Sequence, residues 1–349
     1  MRRVIVLALC VVFTLSILTG CGQPKKTSST GTEPNSNESA NNEKFVIKMG
    51  YGTAPGAPID LGAQKFKEEV EKKSNGRIEV RLFPSAQLGS ERQLIEGLQA
   101  GTIEMTPTTT GPMGLFDPAY YVFDLPYIFK DTKSADKVLD GPIGEEMLAR
   151  LEKMGIIGLA WWENGFRQFT NNKRPIVKPQ DINGMKIRSM ENEVHMKFFK
   201  DLGATPIPLG FGEIYMACKS KTVDGQENPT NLIATNKFYE VQKYMTVNDW
   251  VYSPVVVLIS KKVWDKLPED LKKIVKDAAL NQREFERNAG REKDKEYIET
   301  IKKGGTEVTV LTDDQKMEWR KEAEKLYPEF ESKIGKDLLE KVQKEGWVN

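Results

Sequence analysis

At 349 residues the chain is too long for one domain of ordinary size, and two such domains fit. Its 51 lysines and arginines almost cancel 50 aspartates and glutamates, so no long-range field points to nucleic acid or to an acidic partner. Three cysteines, at positions 10, 21 and 218, rule out a disulfide framework. The sequence also lacks internal repeats, a phosphate-binding glycine loop, a paired-glycine dinucleotide fingerprint and any Cys or His cluster with metal spacing.

Residues 1–20 read as a secretion signal, with Arg2 and Arg3, an apolar run over 4–18 and a small-residue cleavage site. The run is short for a membrane span, and no other segment approaches the length required. Leu18-Thr19-Gly20-Cys21 resembles the bacterial lipobox, in which the cysteine is diacylated and becomes the mature N-terminus. A simple cleaved signal is the alternative. Two acyl chains suffice for stable anchoring where one does not. Residues 22–43 are rich in Ser, Thr, Asn, Gly and Lys and nearly free of apolar side chains. They cannot bury enough surface to fold, so residues 21–44 are expected to be the anchored cysteine and a flexible tether.

Folding is expected to begin at Phe45, with a strand over 45–50. Ile59, Ala63, Phe66 and Val70 mark one helical face, closed by Asn75-Gly76. Ile78, Val80 and Leu82 alternate with Glu79 and Arg81 as a second strand. Ser90-Glu91-Arg92-Gln93 has the form of a capping box that opens a helix to Ala100, and 103–110 is a third strand. This alternation predicts an α/β fold with a mainly parallel sheet covered on both faces. In such sheets ligands lie beyond the carboxyl ends of the strands, which directs attention to residues 51–53, 87–91 and 108–110.

Residues 116–129 are dense in aromatics and prolines and read as core packing. A strand over 156–162 leads into residues 163–167, the first expected crossing between domains. A second crossing is expected at 252–254, before a strand over 255–260. Residues 263–279 form a charged amphipathic helix, and from Glu284 the chain reads as mostly helical.

Residues 181–229 organise the rest. Asn183-Gly184 is a turn, because the pair tolerates a left-handed backbone. Residues 185–190 alternate as a short strand with Arg188 on its polar side, 193–202 is helical, and Gly203 stands where a C-terminal cap would. Pro206 and Pro208 force an extended segment, residues 213–220 are helical, and Asp224-Gly225 turns into Gln226-Glu227-Asn228-Pro229. An arginine on a strand, a β–α–β rhythm and a polar turn fit a pocket for a small anion.

GMKIR, the helix ending DLGA, the P-x-P segment, FGEIYMA and VDGQENP followed by FYEVQKY stand in an order that resembles the extracytoplasmic solute-binding proteins of tripartite ATP-independent periplasmic (TRAP) transporters. The likeness covers roughly residues 45–279. It implies a two-domain periplasmic-binding-protein-like fold with a hinge, crossing strands and a long bridging helix. The first domain would hold 45–164 and 254–291, and the second 165–253 and 292–349. It also implies that Arg188 clamps a substrate carboxylate, for which a guanidinium offers a matching planar fork.

Arg167 aligns with a second family arginine, with a structural ion pair at the crossing as the alternative. Asn228 matches an asparagine reaching the ligand from the opposite wall, and an Asx turn before Pro229 is compatible with that role. Glu91 matches an acid that accepts substrate hydroxyls, although an acid at a helix start is favourable without any ligand. Thr109, Phe211, Met190 and Trp250 fall at pocket-lining positions, and some relatives carry histidine where this chain has Trp250.

His195 reads as a packed or surface residue and Cys218 as a small buried hydrophobe; neither has a partner that suggests catalysis. The expected protein is therefore no enzyme and needs no cofactor or metal. It would capture a small carboxylate, a sugar acid or else a four-carbon dicarboxylate, and deliver it to the membrane subunits of a TRAP permease. A lipid-anchored hydrolase and a ligand-presenting module for a sensor kinase are the readings from other classes.

Overall fold

The computed structural model describes residues 43–347. The leader, Cys21 and nearly all of the expected tether lie outside the described residues. Nine strands form one mixed sheet among the described residues: β1 Phe45–Gly50, β2 Ile78–Phe83, β3 Met105–Thr109, β4 Ile156–Asn171, β5 Lys186–Ser189, β6 Thr205–Pro208, β7 Gly225–Pro229, β8 Tyr244–Ser260 and β9 Glu307–Val310. Their order is β2-β1-β3-β8-β4-β7-β5-β6, with β9 also paired to β8.

The two long strands β4 and β8 run antiparallel through the middle and belong to both lobes. The later part of β8 pairs with β3, while its start pairs with β9 and the end of β4 pairs with β7. The parallel arrangement expected from the first three strands holds for β1 with β2 and β3, but β8 then joins antiparallel. The expected crossings at 163–167 and 252–254 lie inside these continuous strands. Register slips fall between Glu163 and Gly165 and between Arg167 and Phe169, and Gly165 takes a φ of 104° there.

The helices are α1 Pro58–Lys73, α2 Glu91–Ala100, α3 Thr132–Leu139, α4 Pro142–Arg150, α5 Glu193–Asp201, α6 Ile214–Lys219, α7 Thr230–Thr235, α8 Lys261–Trp264, α9 Glu269–Arg291, α10 Asp294–Lys303, α11 Asp313–Glu324, α12 Tyr327–Ile334 and α13 Lys336–Gly346. None is long and apolar enough to cross a membrane. The fold is the two-domain α/β arrangement, with β4, β8 and α9 bridging its lobes.

The 23-residue α9 spans about 34 Å at 1.5 Å per residue. It begins at Glu269 behind Pro268, later than the expected helix over 263–279, and runs on to Arg291, because no proline or glycine lies between Glu269 and Ala289. Leu271, Val275, Ala278 and Ala279 bury its first half in the cluster that holds Ile59, Ala63, Phe66 and Val70 of α1. Its far end is fastened by charge. Arg291 binds Glu163 on β4 and Asp136 on α3, and Arg287 binds Asp140 at 2.7 Å.

The aromatic segment is core, as expected: Tyr120, Phe123 and Phe129 are buried with Trp161 and Tyr252, and Tyr121 packs edge-on against Phe330 of α12. β9 is the strand that the expected run of helices from Glu284 did not contain. It has only four residues, Glu307-Val308-Thr309-Val310, whose polar/apolar alternation after Gly304-Gly305 was a strand signal that the helical reading passed over, and it pairs parallel with the start of β8.

Candidate functional site

β5 is placed by the turn before it. Asn183 has φ −56° and ψ 133°, Gly184 has φ 75°, and Met185 N donates to Ile182 O at 3.1 Å. These are the angles of a type II turn, whose third position favours glycine. β7 also depends on one glycine: a Cβ on Gly225 would stand 2.4 Å from the Thr170 carbonyl oxygen of β4. A side chain there would push β7 off β4. β6 is the edge strand of the sheet, which is where a strand tolerates its two prolines.

Arg188 on β5 is buried, with 3% of its surface exposed, and lines a cavity. Its Nε and Nη2 donate to the Leu209 carbonyl at 3.0 and 2.7 Å. Nη1 is buried without a hydrogen-bond partner among the described residues and lies 4.0 Å from Glu227 Oε1. One edge of the guanidinium is therefore occupied by backbone, while the end-on edge stays open to an anion. Burial pulls the guanidinium down to about 10, where it is still cationic at neutral pH.

Arg167 on β4 forms the ion pair that its sequence context left open. Its Nε and Nη2 meet the two carboxylate oxygens of Glu227, and Nη2 also donates to the Glu227 carbonyl at 2.8 Å and to Asn228 Oδ1 at 3.3 Å. Glu227 has no exposed surface, and nothing in its sequence context singled it out. The available signal was three polar residues, Gln226-Glu227-Asn228, in a strand too buried to leave them unpaired. Asn228 lies within β7, opposite Gln168, rather than in a turn.

From the other lobe comes Glu91, the first residue of α2 behind its Ser90 capping box. Its carboxylate accepts the Thr109 amide at 2.9 Å and the Thr109 hydroxyl at 2.9 Å. Thr109 therefore positions Glu91. Arg167, Arg188, Asn228, Glu91, Thr109, Met190 and Phe211 all line one cavity, together with Tyr51, Gly52, Thr53 and Asn164. The Thr53 hydroxyl is buried there without a hydrogen-bond partner among the described residues. Phe211 closes the space against Gly52, where a Cβ would stand 3.6 Å from its ring. About 30 Å3 remains inside, room for roughly two water molecules.

Trp250 is not at this cavity, contrary to the expectation. It is fully buried, stacked on Phe198 at 5.7 Å and Phe169 at 5.4 Å, with His195 at 4.8 Å. Its size and flat faces suit the aromatic core of the second lobe. His195 is packed as anticipated, and burial together with the charges of Arg167 and Arg188 holds its imidazole well below the usual range. Cys218 is buried, and burial raises its thiol to about 12, which leaves it inert.

The arrangement sets two guanidinium groups and the Glu91 carboxylate around a small void, with Glu227 behind the two arginines. This can hold an anion by charge and hydroxyls by hydrogen bonds; among the described residues no nucleophile is paired with a base there. The sequence pattern of the bacterial extracellular solute-binding proteins, family 7, matches residues 49–333. The chain belongs to this family. As a family 7 solute-binding protein it is 40% identical to the sugar acid binding protein of Advenella mimigardefordensis, solved with galactonate, at a TM-score of 0.85 over 87% of this chain and 98% of that one. A TRAP periplasmic solute binding protein of a Polaromonas species, solved with D-erythronate, is 40% identical at a TM-score of 0.83, covering 86% and 98% of the two chains. One from Sulfurospirillum deleyianum, solved with succinate, is 35% identical at a TM-score of 0.83, covering 86% and 99%.

One buried acid beside this family 7 site titrates unusually. Burial pushes the Asp124 carboxyl up to about 7, although the Thr110 hydroxyl donates to it at 3.1 Å and Arg167 lies near. His195 faces it at 3.9 Å but is neutral. Because the folded value lies above the unfolded one near 3.8, the native state holds an extra proton between about pH 4 and 7. Stability from this group is therefore lost as pH rises through that window, by on the order of 4 kcal/mol at most. Asp124→Asn is expected to flatten the slope. Urea unfolding at pH 5 and pH 8 checks it, and equal slopes in parent and variant would show that Asp124 is not the titrating group.

Proposed function

We propose that the chain captures a sugar acid outside the cytoplasmic membrane by closing its two lobes, and delivers it to the membrane subunits of a TRAP permease. The observation that carries this is the open, buried end of the Arg188 guanidinium facing a cavity whose other wall holds Glu91. One ligand carboxylate meets Arg188, and Arg167 and Asn228 flank it. Glu91 then accepts hydroxyl protons from the rest of the ligand, with Thr53 beside it. A second carboxylate in that position would face the Glu91 charge, which disfavours four-carbon dicarboxylates. Relatives solved with galactonate and erythronate support this reading, while the succinate-bound relative keeps the dicarboxylate as the second reading. The void is smaller than any such ligand, so binding requires the walls at Phe211 and Gly52 to part and close again.

Titration calorimetry with galactonate and succinate is the test. Galactonate is expected to bind tighter by at least about tenfold, ~1.4 kcal/mol. Tighter succinate binding would replace the sugar-acid reading with the dicarboxylate one.

We propose further that Cys21 carries the lipid anchor, on the strength of the Leu18-Thr19-Gly20-Cys21 match. Cys21→Ser is expected to move the protein from the membrane fraction to the soluble extracytoplasmic fraction. A variant that still sediments with membranes as an acylated species would refute the anchor.

A further inference from the structure

We propose that the second lobe carries, on a surface that shares no lining residue with the ligand cavity, a docking groove for an acidic polypeptide segment of a partner. The groove has a volume of about 1140 Å3 and forms where β4 ends, where β5, β7 and β8 begin, and where the turns after α6 and α10 meet them. Lys186 opens the four-residue β5 at the groove, Arg188 two residues on lines the ligand cavity, and no residue lines both. The two sites are therefore separate.

Charge is the first argument. The chain as a whole is balanced, yet Lys173, Lys186, Lys219, Lys221 and Lys243 line this groove against Asp224 and Glu240. Both acids are engaged locally. Asp224 meets Lys173 at 3.1 Å and accepts the Lys186 amide at 2.8 Å, and Glu240 accepts the Tyr215 hydroxyl at 2.8 Å. The side chains of Lys186, Lys221 and Lys243 are exposed and have no acidic partner among the described residues, and Lys219 reaches over the Tyr215 ring at 5.9 Å. A local excess of cations attracts an anionic partner even where net charge is near zero.

Shape is the second argument. The volume exceeds the range of about 300–1,000 Å3 typical of small-molecule pockets. Tyr215 and Tyr239 stand on its walls, so an occupant meets apolar ring faces as well as ammonium groups. A planar bilayer surface would touch only the rim of such a recess, whereas a protruding acidic loop or helix enters it. The partner chemistry is therefore that of a Glu/Asp-rich segment, bound with the strong salt dependence of exposed charge pairs.

The test uses the purified protein and a fluorescent oligoglutamate peptide at low salt. The groove variant is Lys219→Glu with Lys221→Glu and Lys243→Glu. The control makes the same charge change at exposed helical positions elsewhere: Lys65→Glu, Lys273→Glu and Lys341→Glu. The groove variant is expected to weaken peptide binding by at least about tenfold and the control by less than about threefold. Galactonate titration of the same variants should match the parent, so failure of the groove and failure of the ligand assignment are read separately. Equal loss in both variants would show bulk charge only and overturn the proposal. Displacement of the peptide by millimolar inorganic phosphate would reduce the groove to an ion site. Capture by phosphatidylglycerol vesicles through these lysines, with no peptide binding, would assign the surface to the membrane instead.

Discussion

Arg188→Ala is expected to abolish useful ligand affinity. The guanidinium is buried, its end-on edge is unpartnered, and a carboxylate bound there would lose its only fully committed cation. Breaking a buried or interfacial charge pair costs about 3–5 kcal/mol, which at ~1.4 kcal/mol per decade is two to three or more orders of magnitude in affinity. Arg188→Lys keeps a charge but loses the planar donor edge, so it should recover only part of the loss. A stability cost on the order of 1–3 kcal/mol accompanies the alanine variant, because the Leu209 carbonyl loses both of its donors. Calorimetric titration of the well-folded fraction decides the matter. An Arg188→Ala protein that binds galactonate within a few-fold of the parent would end the assignment.

Glu227→Ala is expected to damage the fold more than the site. Glu227 has no exposed surface and holds Arg167, which is itself 1% exposed. Removing Glu227 leaves Arg167 buried without its acid, and removing Arg167 leaves Glu227 with only Arg188 at 4.0 Å, each at about 3–5 kcal/mol. Arg167→Ala should therefore unfold at clearly lower urea concentration than Arg188→Ala, although both residues line the cavity. The double variant Arg167→Met with Glu227→Leu removes both charges and should regain most of the stability. It should not regain ligand binding, because the carboxylate loses a flanking cation and Arg188 loses the acid 4.0 Å away. Single variants within about 1 kcal/mol of the parent would mean that the pair is not the buried anchor described here.

The difference between these two arginines was not legible in the chain. Both follow from the motifs of residues 163–229 as ligand contacts, and both indeed line the cavity. The partner of Arg167 lies sixty residues away in sequence, on β7, and reaches it only because β4 and β7 pair antiparallel at Arg167 and Pro229. Trp250 shows the opposite failure. Alignment placed it at the pocket, but a long strand presents alternate residues to opposite faces, and its face is the one packed against Phe198 and Phe199 of α5.

What the sequence determined by itself is whatever depends on local backbone chemistry and apolar period. The Ser90 capping box, the Asn183-Gly184 turn, the Gly203 cap and the extended segment over Pro206 and Pro208 all stand where the residues alone put them. The α/β class and the family follow from the same local signals read in order. The tertiary structure alone decided which buried charges are paired, which edge of Arg188 remains open, and that five lysines scattered over residues 173–243 converge on one groove. Pairing and convergence are properties of strand order and register. These place residues distant in the chain within a few ångströms, and no local propensity carries that information.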